Sequence, residues 1–247
     1  MKAKLAKAPS FGHWIYEIKF DGWRALALKG GNQVRLLSRN SKDLGAKFPE
    51  IMVSIVELNA HDAIIDGEIV ALDEKGRSSF QLLQAHDMEQ ERPPIFFYAF
   101  DLLQLNGKDM KKLPLEERKA TLQRLIQKPP GVIRYSAILG NNAHNLLKEV
   151  RKLGLEGLIG KRAKSIYEVG TRSGAWVKIK LLHEQEFVIG DIPNRKARGS
   201  FSARLSWAST GATSWYLWEG SVRALARIFS GICIPDSKTS NALRVLL

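Results

Sequence analysis

Residues 14–21 alternate between apolar and charged side chains, and this stretch constrains the fold of the chain more than any other. The alternation has the period of a β-strand, so successive side chains point to opposite faces of a sheet. One face is apolar and rich in aromatic rings: Trp14, Tyr16, Ile18 and Phe20. The other face has Lys19 between the carboxylates of Glu17 and Asp21. We therefore expect a strand that packs its aromatic face on the core of a sheet.

The charged face of this strand has two interpretations. Charges that alternate along a strand are most often solvated on the outer face of a half-buried sheet. Alternatively, Lys19 is a nucleophile, which requires nearby cations or a desolvated pocket because an amine attacks only when it is neutral. Glu17 and Asp21 would then orient the lysine, and Arg24 would supply a nearby cation and a phosphate ligand.

The charge of the chain points to a polyanionic partner. The 247 residues carry a formal net charge of +13, which favours nucleic acid over an anionic membrane surface. The apolar fraction of 45% is that of a globular protein. Cys233 is the only cysteine, so no intrachain disulfide is expected. Because no membrane span or secretory signal is recognisable, we expect a soluble cytoplasmic protein.

Strand and helix patterns alternate along the chain. Strand patterns cover residues 25–37, with a Gly-Gly-Asn turn, and residues 63–72, 95–103 and 176–181. Apolar residues at helical spacing cover residues 48–58, 115–126 and 142–153. These elements predict an α+β fold of antiparallel sheets with flanking helices.

Two of the predicted strands carry paired charges. Asp66 and Glu68 lie on one face of an otherwise apolar strand, where carboxylates are costly unless they contact a cation, a ligand or water. Lys178 and Lys180 share one face of the last strand and would repel each other unless an anion lies between them. For the acidic pair, a solvated edge strand is the alternative interpretation.

Six short motifs follow one another over residues 1–190. They are EIKFDGWR at 17–24, SRN at 38–40, DGE at 66–68, YAFDLL at 98–103, EGLIGKR at 156–162 and WVKIK at 176–180. In this order they resemble the motifs of the covalent nucleotidyltransferase superfamily, and specifically those of ATP-dependent DNA ligases. The chain is most similar to the ligase module of the bacterial end-joining type.

The resemblance implies an ATP-grasp-like nucleotidyltransferase (adenylation) domain over residues 1–183. Lys19 would attack the α-phosphate of ATP, release pyrophosphate and hold AMP as a phosphoramidate. AMP would pass to the 5′-phosphate of a nick in double-stranded DNA, and the neighbouring 3′-hydroxyl would displace it. The implied protein is a monomeric, nucleoid-associated bacterial enzyme with no membrane partner.

The resemblance also implies a set of site residues around the catalytic Lys19. The implied nucleotide-binding residues are Glu17, Ile18, Arg24, Arg39, Glu68, Phe100, Lys178 and Lys180. Two carboxylates, Glu68 and Glu156, would hold a metal. Carboxylates and phosphates favour hard cations, so Mg²⁺ or Mn²⁺ is the expected ion.

Each nucleotide-binding residue has an implied role. Glu17 would bind the adenine amine, Glu68 would hold the ribose, and Phe100 would stack on the adenine ring. Arg24 and Arg39 would bind phosphate. The paired lysines of the last motif would contact the α-phosphate, which would be the anion that relieves the repulsion between them.

The resemblance weakens in the C-terminal region. Family members have an OB-fold after the paired lysines, and residues 186–190 begin as such a domain should. The match decays near residue 203, and we find no final basic motif in residues 206–247. We predict a truncated or divergent OB-fold region over residues 184–247. A reading-frame change near residue 203, which we favour, would impair self-adenylation and nick sealing, whereas a genuine divergent clamp is the alternative.

Two other functions fit parts of the sequence. RNA ligases and mRNA guanylyltransferases of the same superfamily also use a Lys-x-Asp-Gly motif. A non-catalytic nucleic-acid-binding remnant would account for the +13 charge and the atypical C-terminal region. We predict ATP-dependent DNA ligation, impaired if the C-terminal region is aberrant.

Overall fold

The chain forms two compact units, Met1–Leu181 and Leu182–Leu247. The structure, a computed structural model, describes residues 1–6, 12–128 and 131–181 in full, and the backbone of four strands between residues 184 and 246. Cys233 lies outside the described residues. Within the described ranges, no helix is long and apolar enough to cross a membrane.

The described residues of the first unit form ten strands, which are 2 to 11 residues long, and four α-helices. Its strands are β1 (Lys4–Leu5), β2 (Trp14–Ile18), β3 (Trp23–Gly30), β4 (Gln33–Ser38), β5 (Asp62–Ala71), β6 (Ile95–Leu105), β7 (Lys108–Asp109), β8 (Ile133–Tyr135), β9 (Gly157–Arg162) and β10 (Trp176–Lys180). Its helices are α1 (Pro49–Val56), α2 (Phe80–Asp87), α3 (Leu115–Leu125) and α4 (Ala143–Lys152), with a 3₁₀ turn at Gly45–Lys47.

These strands form two sheets. The larger sheet has the order β4-β3-β5-β6-β7, and β8 pairs with β6. The smaller sheet has the order β1-β10-β9-β2. Pairing is antiparallel except between β1 and β10 and between β6 and β8. The predicted α+β fold of antiparallel sheets with flanking helices is confirmed.

Each sheet buries one apolar cluster under its helices. The larger sheet packs on α1, α2 and α3 through Ile51, Ile55, Leu83, Leu122, Leu36, Ile65, Ile69 and Phe97. The smaller sheet packs on α4 through Trp14, Tyr16, Val150, Leu158, Val177 and Ile179. Full burial of an aliphatic or aromatic side chain contributes about 1.5–3 kcal/mol. These clusters therefore fix the positions of the strands that carry the motifs.

Strand β2 differs from the predicted half-exposed strand. The side chains from Trp14 to Glu17 are all buried, so both faces of the strand are covered. Ile15, on the face expected to be solvated, packs against Leu115 of α3 and Ala163. The strand also ends at Ile18, so Lys19 lies just beyond it. Sequence alternation alone could not show that a second layer covers the charged face.

The second unit contains four described strands. They are β11 (Glu184–Ile189), β12 (Ser202–Ser209), β13 (Tyr216–Ser221) and β14 (Ala242–Leu246). They pair antiparallel in the order β13-β12-β11-β14. The assignment of residues 184–247 to an OB-fold region stays a prediction.

Candidate active site

Most of the predicted site residues surround one cavity in the first unit. The cavity has a volume of about 260 Å³. Its lining includes Glu17, Ile18, Lys19, Arg24, Arg39, Glu68, Phe100 and Lys178. These residues come from both sheets, which brings motifs far apart in sequence to one place. Glu156 and Lys180 join the group through Lys19, as described below.

The smaller sheet aligns three of the motifs across neighbouring strands. Glu17 on β2 pairs with Ile159 on β9, which in turn pairs with Lys178 on β10. Gly157 allows β9 and β10 to approach closely at their ends. Its φ is +152°, and a Cβ added there would lie 2.1 Å from the carbonyl oxygen of Ile179. The glycine after Glu156 is therefore required by backbone packing.

The turn after Lys19 is held against the larger sheet. A Cβ added to Gly22 would lie 2.2 Å from the carbonyl oxygen of Ile69 on β5. The Asp21 carboxylate accepts a hydrogen bond from the backbone N–H of Phe80 at 3.2 Å, and the Asp21 N–H donates to Ser78 Oγ at 3.0 Å. Asp21 therefore anchors the turn to the start of α2. That Asp21 also orients Lys19 stays a prediction.

Lys19 contacts Glu156 through its side chain. Its Nζ donates to Glu156 Oε2, and its backbone N–H donates to the carbonyl oxygen of Gly157 at 3.0 Å. Lys180 Nζ lies 3.5 Å from the other oxygen, Glu156 Oε1. The lysine that we predict as nucleophile is thus oriented by a carboxylate of the fifth motif and not, as expected, by Glu17.

Glu17 is fully buried in a network of its own. Its Oε1 lies 2.8 Å from both Lys119 Nζ and Lys161 Nζ, and Ser136 Oγ donates to its Oε2 at 2.7 Å. Burial alone would raise the pKa of Glu17, but Lys161 and Lys119 outweigh it and hold that pKa below its usual range. Glu17 is therefore an ionised carboxylate at the cavity wall.

Arg24 is paired with Asp66 across β3 and β5. Its Nε donates to Asp66 Oδ1 at 2.9 Å, and Tyr167 Oη donates to Asp66 Oδ2 at 2.7 Å. The guanidinium also donates to the carbonyl oxygen of Met1 at 2.6 Å and lies 5.5 Å from the centre of the Phe100 ring. The acidic residue that the sequence placed beside Glu68 thus neutralises Arg24. The phosphate contact of Arg24 stays a prediction.

Glu68 lies among other charges on the cavity wall. Burial, together with the carboxylates of Asp66 and Glu156, raises its pKa, whereas Arg24 and Lys19 lower it, and the net pKa is about 8. A carboxyl that is hard to ionise among other carboxylates gains from an added cation. No cluster of three His, Cys, Asp or Glu side chains occurs among the described residues.

Phe100 forms part of an aromatic wall. Its ring meets Trp176 edge-on, with ring centres 5.9 Å apart and an interplanar angle of 78°. Lys161 Nζ lies 4.6 Å from the centre of the Phe100 ring and 4.4 Å from that of Trp176. These contacts fix the ring without taking it out of the cavity lining.

Several further cations line the same cavity. Arg39 and Lys178 were predicted, whereas Lys2 and Arg172 were not assigned a role. Burial lowers the pKa of Lys178, and the charges of Lys180, Lys19 and Arg172 lower it further. An excess of cations around one cavity suits a polyphosphate ligand.

The sequence reasoning missed two residues that complete the Glu17 network. Lys119 follows Arg118 within α3, and such a charged pair in a helix is typical of a solvated face. Ser136 lies just after β8 and belongs to none of the six motifs. Only the burial of both side chains identifies them, so no pattern in the sequence could have found either.

The comparisons with known proteins agree on one class of protein. The cavity has a lysine beside a carboxylate, an aromatic wall and several cations, which are features suited to a nucleotide. The family described as "ATP dependent DNA ligase domain" matches residues 1–180, and the chain belongs to that family. The family resemblance that the six motifs indicate is confirmed.

Relatives of this chain include end-joining proteins and DNA ligases. The "Multifunctional non-homologous end joining protein LigD" of Pseudomonas aeruginosa is 40% identical over 188 residues, which is 76% of this chain and 22% of that protein. A "Probable DNA ligase" of Streptomyces avermitilis is 30% identical over 233 residues, covering 90% of this chain and 44% of the relative. The chain thus spans less than half the length of either relative.

Solved structures share the fold. The structure "mycobacterial DNA ligase D complexed with ATP and MES" is similar with a TM-score of 0.63 and 24% identity, covering 98% of this chain and 85% of that chain. The ligase domain of M. tuberculosis LigD gives a TM-score of 0.61 and 26% identity over 94% of this chain and 80% of that one.

Proposed function

We propose that this chain is an ATP-dependent DNA ligase that seals nicks through a lysyl-AMP intermediate on Lys19. The observation that carries the proposal is the position of Lys19: it lines the cavity and contacts Glu156. The cavity around it offers an aromatic wall, buried carboxylates and several cations. Membership of the DNA ligase domain family supports the choice of ATP and DNA as substrates.

The first step joins AMP to Lys19. The Lys19 ammonium gives up a proton, and the Glu156 carboxylate that it contacts is the neighbouring acceptor. The Nζ lone pair then attacks the α-phosphorus of ATP. A P–N bond forms, the bond from that phosphorus to the bridging oxygen breaks, and pyrophosphate leaves. Catalysis of such a transfer depends mainly on positioning and charge neutralisation.

Different residues of the cavity bind the base, the ribose and the phosphates of ATP. Glu17 accepts from the adenine amine, Ile18 contacts the nucleotide, Glu68 holds the ribose, and Phe100 stacks on the base. Cations, including Arg39, neutralise the phosphates. Further cations of this set are Arg24, Arg172, Lys178 and Lys180. Two nitrogens of the Arg24 guanidinium already donate to the Asp66 carboxylate. To bind phosphate as well, Arg24 would use its guanidinium for both partners.

The next two steps use the DNA. A 5′-phosphate oxygen at the nick attacks the phosphorus of the lysyl-AMP, the P–N bond breaks, and Lys19 regains a proton. The 3′-hydroxyl then attacks the 5′-phosphate, and AMP leaves as the phosphodiester forms. The net charge of +13 supports a protein that binds the DNA backbone and is found with the nucleoid.

A divalent metal fits the carboxylates of this site. Glu68 and Glu156 are the two side chains that would hold it, and the charge of Glu156 raises the cost of ionising Glu68 when no cation is near. Mg²⁺ is usually bound by one or two carboxylates together with substrate phosphates, so a site with two carboxylates suffices. When bound, Mg²⁺ or Mn²⁺ would neutralise charge on the phosphates.

Radiolabelled nucleotides test this function. We expect the protein to retain label from α-labelled ATP with Mg²⁺, and to transfer it to nicked double-stranded DNA. Label retained from GTP but not from ATP would contradict the proposal and favour an mRNA guanylyltransferase. Transfer to nicked RNA but not DNA would favour an RNA ligase. DNA binding without any label on the protein would favour the non-catalytic remnant.

The C-terminal region would affect the rates of the individual ligation steps. We propose that residues 184–247 form a divergent OB-fold region that slows sealing more than it alters the nucleotide cavity. The decay of the family match near residue 203 supports a divergent region, and a weak clamp would slow transfer to DNA. A nick supplied already adenylylated separates these effects, because its sealing needs no reaction with ATP.

A further inference from the structure

Helix α3 buries two consecutive cations beneath the candidate active site. Arg118 and Lys119 are 0% and 1% exposed. Full burial of such side chains is rare unless each is paired with an opposite charge. Arg118 donates to both oxygens of Asp101 at 2.8 and 2.9 Å, which joins α3 to β6. Lys119 instead reaches Glu17, two residues before Lys19.

Lys119 lies outside the lining of the cavity. Its ammonium lies 2.8 Å from Glu17 Oε1, donates to the carbonyl oxygen of Ser136 at 2.8 Å, and lies 4.6 Å from the centre of the Tyr135 ring. The ammonium is thus directed at Glu17, Ser136 and Tyr135. Lys119 therefore acts on the cavity through Glu17.

The second cation of the network, Lys161, also contacts Glu17, and it lines the cavity. Lys161 Nζ lies 2.8 Å from Glu17 Oε1, donates to the carbonyl oxygen of Phe100 at 3.3 Å, and faces the rings of Phe100 and Trp176. Ser136 Oγ uses its single hydrogen to donate to Glu17 Oε2. At this edge the cavity therefore offers acceptors: the ionised carboxylate of Glu17 and the lone pairs of Ser136 Oγ.

We propose that Lys119 is a positioning residue that makes the cavity prefer a purine with an amino group at C6 to one with a carbonyl there. This inference rests on the proposed function, in which Glu17 meets the purine base. An ionised carboxylate can only accept hydrogen bonds, so it binds an exocyclic amine and repels an exocyclic carbonyl oxygen. Lys119 keeps Glu17 ionised and fixes the direction of its lone pairs.

The charges around Glu17 support the assignment. Burial of this carboxyl opposes ionisation, and the charges of Lys161 and Lys119 together reverse that effect on its pKa. With Lys119 removed, only Lys161 would oppose the effect of burial on the pKa of Glu17. A protonated Glu17 would donate as well as accept, and the cavity would then accept a C6 carbonyl.

Nucleotide binding in EDTA tests the inference without any reaction. The affinities of ATP, purine riboside 5′-triphosphate and inosine 5′-triphosphate are compared by calorimetry, since these differ at C6 by an amine, a hydrogen and a carbonyl. We expect the wild type to bind ATP more tightly than inosine triphosphate by about tenfold to a hundredfold. Lys119→Met should lose most of that ratio. Because the ratio is internal to one protein sample, partial loss of folded protein does not change it.

Two further variants make the result decisive. Lys29→Met is the matched control, because Lys29 is also buried and its ammonium donates to the carbonyl oxygen of Val56, outside the cavity lining. It should keep the wild-type ratio. Ser136→Ala removes the hydroxyl that donates to Glu17 Oε2 and should reduce the ratio, and it replaces Lys119→Met if that variant does not fold.

The outcomes separate the inference from the proposed function. A wild-type ratio in Lys119→Met, or in Ser136→Ala where Lys119→Met is unfolded, would overturn the role of this network in base selection. Equal binding of ATP and inosine triphosphate by the wild type would also overturn it. A protein that prefers ATP in EDTA but forms no AMP adduct with Mg²⁺ would contradict the proposed function and leave the selectivity role standing.

Discussion

The side chain of Lys19 contacts the carboxylate of Glu156, a residue 137 positions later in the chain. The two residues belong to different motifs and meet because β2 and β9 are neighbours in the smaller sheet. The contact keeps Lys19 at the cavity wall, with 16% of its side chain exposed. It also gives the ammonium a neighbouring proton acceptor.

Glu156→Gln should slow the transfer of AMP to Lys19 while leaving the fold intact. The amide keeps the shape of the side chain but is a poor proton acceptor and a poor metal ligand. We expect the single-turnover rate of lysyl-AMP formation to fall about a hundredfold or more. Glu149→Gln is the control, because Glu149 is exposed on α4 and pairs with Lys152. A rate for Glu156→Gln close to that of Glu149→Gln would contradict this role of Glu156.

Asp66→Asn should destabilise the protein, because it leaves the Arg24 guanidinium without its charged partner. Asp66 is fully buried and accepts from both Arg24 and Tyr167. Breaking a buried ion pair from one side costs about 3–5 kcal/mol. Urea unfolding should therefore show a loss of that size in the free energy of unfolding.

A surface ion pair provides the control for that measurement. Asp87 pairs with Lys47, and about half of the lysine side chain is exposed. Asp87→Asn should change the free energy of unfolding by less than about 1 kcal/mol. Equal effects of the two substitutions would show that the Arg24 pair does not hold β3 to β5.

The stability of the free protein should depend on the protonation of Glu68. Burial raises the pKa of this carboxyl from 4.5 to about 8 in the folded protein. Between these values the folded state holds a proton that the unfolded state has lost, so the Glu68 contribution to stability falls as pH rises through that window. Urea unfolding from pH about 5 to pH about 8 measures the slope.

Glu68→Gln isolates this contribution. The variant should show a smaller loss of stability across the same window, since the amide cannot ionise. In the wild type, Mg²⁺ with ATP should recover part of the loss, because a ligand that favours ionised Glu68 binds better at higher pH. Identical pH slopes for the two proteins would mean that Glu68 titrates normally.

The sequence was enough to predict much of the fold, because the signals that define it are local. The alternating residues of β10 place Val177 and Ile179 in the core and leave the two lysines on the other face. The motifs name most of the residues that line the cavity. Residue alternation and short motifs each involve only a few neighbouring residues, so both can be recognised in the sequence without knowledge of the fold.

The partners of the charged residues could not be predicted in the same way. Glu17 and Asp21 flank Lys19 in sequence, yet Glu17 pairs with cations of α3 and β9, and Asp21 binds the start of α2. Lys119 lies in a helix whose composition is that of an exposed surface, and tertiary packing buries it completely. Pairing of buried charges is decided by long-range packing, which residue spacing along the chain does not encode.

Mass spectrometry of the intact protein after incubation with ATP and Mg²⁺ tests the central claim most directly. We predict a mass increase of one AMP on the wild type, mapped to the peptide that contains Lys19. Acid should release the AMP, as expected for a phosphoramidate, and Lys19→Ala should gain no mass. An AMP adduct that persists in Lys19→Ala, or that maps to another residue of the wild type, would contradict the assignment of Lys19 as the nucleophile.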